Sequence, residues 1–154
     1  MKPLYKPANY STVSPYLIVN GAEATIEFLK RVFGAIELRR FPDESGKLMH
    51  AEVRIEDTVI MLADPAPPEW PPMSSYVHIY VCDVDATYRK ALEAGAVSVQ
   101  EPVKKQDEDK RGGIRDAGGT TCGSRQRSSS SPPSATGVRN ATVGGVIRVG
   151  EHVS

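Results

Sequence analysis

Net charge is the first thing missing from this chain: 19 Lys and Arg offset 19 Asp and Glu. No global field therefore draws it toward nucleic acid or an anionic membrane surface. Cysteine is nearly absent. Cys82 and Cys122 show neither metal-ligand spacing nor a disulfide framework, and free thiols in a cytoplasmic protein are the simplest reading. No apolar run approaches the ~20 residues of a membrane span. The opening MKPLYKPANYS has no apolar core, so no secretory signal is expected. From Cys122 onward the chain also lacks Leu, Lys and every aromatic residue, so little there can form a core. What is present, 40% apolar and 25% charged residues over 154 positions, fits one globular domain or two small modules sharing a core.

The first half reads as β-α-β-β-β. SPYLIVN (14–20) is a short apolar run, read as a strand. Ala22, Ile26, Leu29 and Phe33 recur at helical spacing, and Gly34 stands where a C-terminal cap belongs. AIELRRF (35–41) is a second strand and PDESGK (42–47) a turn. LMHAEVRIED alternates, with Met49, Ala51, Val53 and Ile55 expected on one face and His50, Glu52 and Arg54 on the other. TVIMLAD (58–64) closes the module. Five prolines in PAPPEWPPM (65–73) forbid a helix or a central strand, so this segment is expected to be an extended linker.

The pattern then returns. Val19 is matched by Val81, Ala24-Thr25 by Ala86-Thr87, and Gly34-Ala35 by Gly95-Ala96. Each copy reads strand, helix, glycine, strand, which is the mark of a duplication. The second copy runs into KKQDEDKR, expected to be a solvated loop, and GGIRDAGGTT, expected to be a turn feeding a last strand. The final phrase, CGSRQRSSSSPP, has no apolar face. Ordering it has little burial to offset the entropy lost.

HAEVRIEDTVIMLAD, YVHIYVCDVDATYRKALEAGA and GGIRD resemble small bacterial glyoxalase-like proteins of the vicinal-oxygen-chelate superfamily, the glyoxalase/bleomycin-resistance/dioxygenase fold. The likeness covers roughly residues 10–121. It implies an α+β fold of two βαβββ modules in tandem, a glyoxalase-like domain over 1–121 with module one at 12–64, the Pro-rich linker at 65–73 and module two at 75–121. Residues 122–154 are expected to be an irregular low-complexity tail, with the last strand of module two disrupted.

In such relatives the last phrase resembles GGxRDPFGxTWWIAT. Written as ACC TGG TGG ATC GCG ACA GCG, the end of that phrase loses one G to become ACC TGT GGA TCG CGA CAG CG. The product is Thr-Cys-Gly-Ser-Arg-Gln-Arg, the sequence from Thr121 to Arg127. Residues 122–154 are thus read as out of frame relative to the family, the alternative being a natural low-complexity tail.

The resemblance also implies where chemistry would sit. Metal-using relatives place one ligand on the first and one on the last strand of each module, and strand alignment puts Ser14, Met61, His78 and a position in the final strand there. Only His78 is a competent ligand, and a divalent ion needs three or four donors. No metal and no cofactor are expected. His78 is either a hydrogen-bonding or general-base residue or a strand histidine with a structural partner. Tyr16 and Tyr80, read as equivalent in the repeat, either line the pocket or pack in the core. His50, Glu52 and Arg54 either hold an anionic or polar substrate or form a solvated or inter-strand charged face. Trp70 is a lid, a dimer anchor or plain loop packing.

GGIRDAGG lacks the ending of a phosphate loop, and Cys82 has no base at evident spacing. Pocket-binding candidates are therefore His78, Tyr80, Tyr16, Ser14, Met61 and His50, with no catalytic residue assigned. The implied function is small-molecule binding of the glyoxalase/bleomycin-resistance kind, by a cytoplasmic homodimer without nucleic-acid or membrane partners. The alternative is a metal-dependent lyase, isomerase or dioxygenase whose last ligand lay in the altered strand.

Overall fold

A computed structural model describes residues 5–104, 106 and 109–127. The chain divides into two compact units between Met73 and Ser74. Unit 1 runs β1 (Tyr16–Ile18), α1 (Ala22–Phe33), β2 (Ile36–Pro42), β3 (Leu48–Ile55) and β4 (Thr58–Ala63). Unit 2 runs β5 (Ser75–Tyr80), α2 (Val84–Glu93), β6 (Val97–Lys104), β7 (Lys110–Arg115) and β8 (Thr120–Gln126). Each unit forms a four-stranded sheet, ordered β1-β4-β3-β2 in the first and β5-β8-β7-β6 in the second. The expected α+β architecture of two βαβββ modules is therefore present. Among the described residues no helix is long and apolar enough to cross a membrane.

Strand pairing explains which residues are buried. In unit 1 β1 lies parallel to β4, and β4 antiparallel to β3. The registers Leu17↔Leu62↔Ala51 and Ile60↔Val53 put these side chains on one side of the sheet, where all five are buried. Helix α1 presents Ala22, Ile26, Leu29 and Val32 to the same core, as its i, i+3, i+4 spacing requires. Gly34, at φ 66°, ends the helix in the left-handed region that favours glycine.

The start of α1 is held from a distance. Asp64 Oδ1 accepts from the Gly21 and Ala22 amides at 3.1 and 2.9 Å, while Oδ2 accepts from the Leu48 amide at 2.8 Å. In unit 2 Asp83 caps α2 locally through the Ala86 amide at 2.9 Å, and Gln126 Oε1 accepts from the Val84 amide at 3.2 Å.

Four expectations are corrected. The last strand of module two is not disrupted: Thr120–Gln126 pairs with β5 and β7 along its length. Backbone hydrogen bonding to two neighbours needs no apolar side chain, and the small residues Cys122 and Ser124 fit beneath α2, where both are buried. The irregular stretch expected over 128–134 lies outside the described residues.

GGIR is strand rather than turn, and the turn is the segment from Asp116 to Thr120, closed by the Gly119 and Thr120 amides on Asp116. Within β7 a Cβ at Gly112 would stand 3.3 Å from the Val84 side chain of α2, tighter than an ordinary contact.

Met49 is 61% exposed rather than inside. Phe41 pairs with His50 but Pro42 with Leu48, so Met49 is the extra residue of a β-bulge and Leu48 takes the buried place. The Pro-rich segment is not simply extended, since Ala66 and Trp70 exchange backbone hydrogen bonds around a cis Pro67-Pro68 bond. Trp70 is exposed.

Candidate functional site

The side of each sheet away from its helix carries the polar and aromatic candidates. In unit 1 the register Tyr16↔Met61↔Glu52 sets three of them in one row. His50 and Arg54 flank Glu52 by the two-residue period of β3, while Arg39 and Phe41 of β2 pair with Glu52 and His50.

These groups form a hydrogen-bonded chain. Tyr16 Oη lies 3.1 Å from His50 Nδ1, and His50 Nε2 lies 3.0 Å from Glu52 Oε1. Tyr10 donates its hydroxyl to the other carboxylate oxygen, Oε2, and Arg39 Nε stands 3.8 Å from that oxygen. Glu52 is only 5% exposed, so it is no part of a solvated row.

Burial alone would raise the Glu52 carboxyl, but the hydrogen bonds from His50 and Tyr10 and the charge of Arg39 outweigh it and hold the group below its ordinary value. Burial pushes the Tyr16 hydroxyl above its ordinary value, and the bond to Glu52, with burial, does the same for Tyr10. The His50 ring is flanked by Tyr16, at a centroid distance of 5.6 Å, and by Phe41, at 6.2 Å.

A cleft of about 400 Å³ opens further along, lined by Asn9, Tyr10, Ser11, Arg54, Glu56 and Asp57. Its walls are largely exposed turn residues, whereas the chain from Tyr16 to Glu52 holds linked titratable groups. The candidate site is therefore centred on that chain, which meets the cleft at Tyr10.

Unit 2 differs at the equivalent places. His78 pairs with Gly123 as Tyr16 does with Met61. Tyr16 is thus the counterpart of His78, and Tyr80 answers to Ile18; the two tyrosines read as equivalent are offset by one step along the same side. A Cβ at Gly123 would lie 3.4 Å from His78 Nδ1, so the imidazole sits over bare backbone. His78 meets Tyr80 edge-on at 5.2 Å. The Arg125 guanidinium stands 5.8 Å from the Tyr80 ring centroid and pairs with the buried carboxylate of Asp109.

Burial, then the charges of Arg125 and Arg111, lower the His78 pKa, so its imidazole is neutral at physiological pH. His78 Nε2 is buried without a hydrogen-bond partner.

Ser14 lies just before β1 and is half-buried, as is Met61. Among the described residues no three His, Cys, Asp or Glu side chains are grouped to hold a metal ion. Of the two free thiols, Cys122 is buried and its pKa is pushed up to about 12 by burial and by Asp116; Cys82 is exposed. Sequence reasoning named Tyr16 and His50 but missed Tyr10. Nothing in the N-terminal segment sets Tyr10 apart from Tyr5 or from the hydroxyls of Ser11 and Thr12, and its partner lies 42 residues away.

A relative from Mycobacterium bovis, an uncharacterised protein, is 39% identical over 97 residues, covering 56% of this chain and 64% of its own length. One from Mycobacterium tuberculosis, also uncharacterised, shows the same identity over 57% of its length. The chain thus spans less than two thirds of these curated relatives.

Among solved structures, TioX from Micromonospora sp. ML1 matches with a TM-score of 0.65 at 24% identity, over 75% of this chain and 98% of that one. TnmS3, an antibiotic binding protein from a Streptomyces species, matches with a TM-score of 0.57 at 23% identity, over 77% and 100%. At such identity the likeness is one of fold. The family model for the Glyoxalase/Bleomycin resistance protein/Dioxygenase superfamily matches residues 11–122. With its paired βαβββ units and a match across most of its length, the chain belongs to the Glyoxalase/Bleomycin resistance protein/Dioxygenase superfamily.

Proposed function

We propose that this protein binds a small molecule, in the manner of the bleomycin-resistance branch of its superfamily, without the metal centre of the metal-using branch. The observation that carries this reading is the pairing of Tyr16 with Met61 and of His78 with Gly123. The resemblance expects metal ligands at Ser14, Met61, His78 and a position in the final strand, but Tyr16 rather than Ser14 pairs with Met61, and the residue opposite His78 on the final strand is Gly123. Glycine offers no side-chain donor, thioether suits soft ions, and a tyrosine whose hydroxyl is raised above its ordinary value is a poor phenolate ligand. The strand β8, which the metal-dependent alternative needs for its last ligand, presents Gly123.

Tyr16 and His50 in unit 1, and His78 and Tyr80 in unit 2, give each unit a polar and aromatic set that suits an organic ligand. The antibiotic-binding neighbour supports the same class of ligand. We read the working form as a cytoplasmic homodimer. Elemental analysis of protein purified without chelator, together with a thermal-shift panel of aromatic antibiotics, tests the proposal. We expect substoichiometric metal and a dose-dependent rise in melting temperature with at least one compound. One tightly bound metal ion per chain would overturn it.

A further inference from the structure

We propose that the open side of unit 1 takes an aromatic ligand carrying an acidic hydroxyl and holds it as its anion, the ligand's proton passing through Tyr16 to His50. This rests on the small-molecule reading above and names the chemistry of the ligand.

The direction of the hydrogen bonds supports it. Glu52 is the fixed end, buried among Tyr10, Arg39 and His50. With Nε2–H donated to this carboxylate, His50 is left with Nδ1 as an acceptor, and Tyr16 Oη, 3.1 Å away, donates to it. The Tyr16 oxygen then offers only lone pairs outward, so it selects a ligand donor. Tyr16 is 46% exposed and Phe41 49%. They flank His50 and leave ring surface on which an aromatic ligand stacks.

When a ligand hydroxyl more acidic than a tyrosine donates to Tyr16, its O–H bond breaks and the proton joins the Tyr16 oxygen. The proton of Tyr16 moves to His50 Nδ1. The products are a ligand oxyanion, a neutral Tyr16 and an imidazolium, so one negative and one positive charge appear together. Glu52 faces the imidazolium. Arg39 and Arg54 share the open side with the oxyanion, and both signs of charge are thus met. From β4 this side receives Met61 opposite Glu52, which does not titrate. Tyr10 is already committed to Glu52.

The probe is 4-nitrophenol, whose visible absorbance reports its own ionisation and which titrates near neutral pH. With saturating full-length protein we expect its titration midpoint to fall by about one pH unit, a tenfold gain in the ratio of ionised to neutral probe. 4-Nitroanisole, the same ring with no proton to give, should bind at least about tenfold more weakly, one decade of affinity. Tyr16→Phe and His50→Gln should retain a native circular dichroism spectrum and lose the shift. If His50→Gln fails to fold, Tyr16→Phe alone decides, since it removes only a half-exposed hydroxyl.

Nitrophenol bound with an unshifted titration overturns the proton transfer and leaves small-molecule binding standing. Nitrophenol that does not bind, while a compound of the antibiotic panel does, overturns the ligand class alone. Failure of every compound overturns both readings.

Discussion

A single carboxylate decides much of unit 1. Glu52 takes hydrogen bonds from His50 and Tyr10 while nearly excluded from water, and a charge so placed is tolerated only when its partners are in position. Because its folded-state pKa is lowered, it contributes stability above the ordinary carboxylate value. That contribution is lost as the pH falls through the lowered one. Glu52→Gln should therefore cost about 1–3 kcal/mol at neutral pH, the range for leaving buried hydrogen-bonding groups mismatched. The gap from wild type should close in acid, where Glu52 is neutral in both folded and unfolded chains. Urea melts of the two proteins across the acidic range check this, and a gap independent of pH would contradict it. The alternation of LMHAEVRIED gave the correct side for Glu52 but not its burial. That depends on Tyr10, a partner no local pattern in the sequence identifies.

Elements with local signals were legible and those held by their neighbours were not. Helix α1 begins and ends where Ala22, Ile26, Leu29 and the Phe33-Gly34 junction place it, because an apolar stripe and a left-handed stop are short-range features. Strands β7 and β8 have glycines and small polar residues at their buried places, and only pairing on both sides makes them strands.

The repeat shows what this costs. Ile60 and Leu62 of β4 correspond, by their pairing with β1 and β3, to Cys122 and Ser124 of β8. Each larger apolar side chain buried there would contribute about 1.5–3 kcal/mol. Replacing residues 122–126 by Trp-Trp-Ile-Ala-Thr should therefore raise the melting temperature, by about 2–4 °C per kcal/mol gained for a chain of 154 residues. A melt that does not rise would show that an out-of-frame origin for this strand is wrong or has no bearing on its fold.

At the scale of the molecule, β2 and β6 are each an edge strand of their sheet, as are β1 and β5 at the opposite edges. Ile36 and Phe41 stand exposed on β2, and Val97, Val99 and Val103 on β6. Unpaired edges with apolar side chains favour association with a second copy. We expect sedimentation at tens of micromolar to give a dimer; a monomer at that concentration would count against it. The duplication behind this arrangement was plain from the matched Val, Ala-Thr and Gly-Ala pairs. The same pairs carried the register: Val19 to Val81 and Ala24 to Ala86 are each 62 residues apart, as are Tyr16 and His78, and reading Tyr16 with Tyr80 was a slip of two residues, which keeps a side chain on the same face.

The Ala22 amide at the start of α1 bonds to Asp64, and that of Val84 to Gln126, in each case 42 residues downstream. During synthesis these amides lack their partners until the end of the final strand of their unit has left the ribosome, although Asp83 caps α2 locally in the meantime. At roughly 5–20 residues per second, each of them waits some seconds. Unit 1 can close while unit 2 is still being made, so translation itself would order the folding of the two repeats and keep their similar strands from pairing with one another.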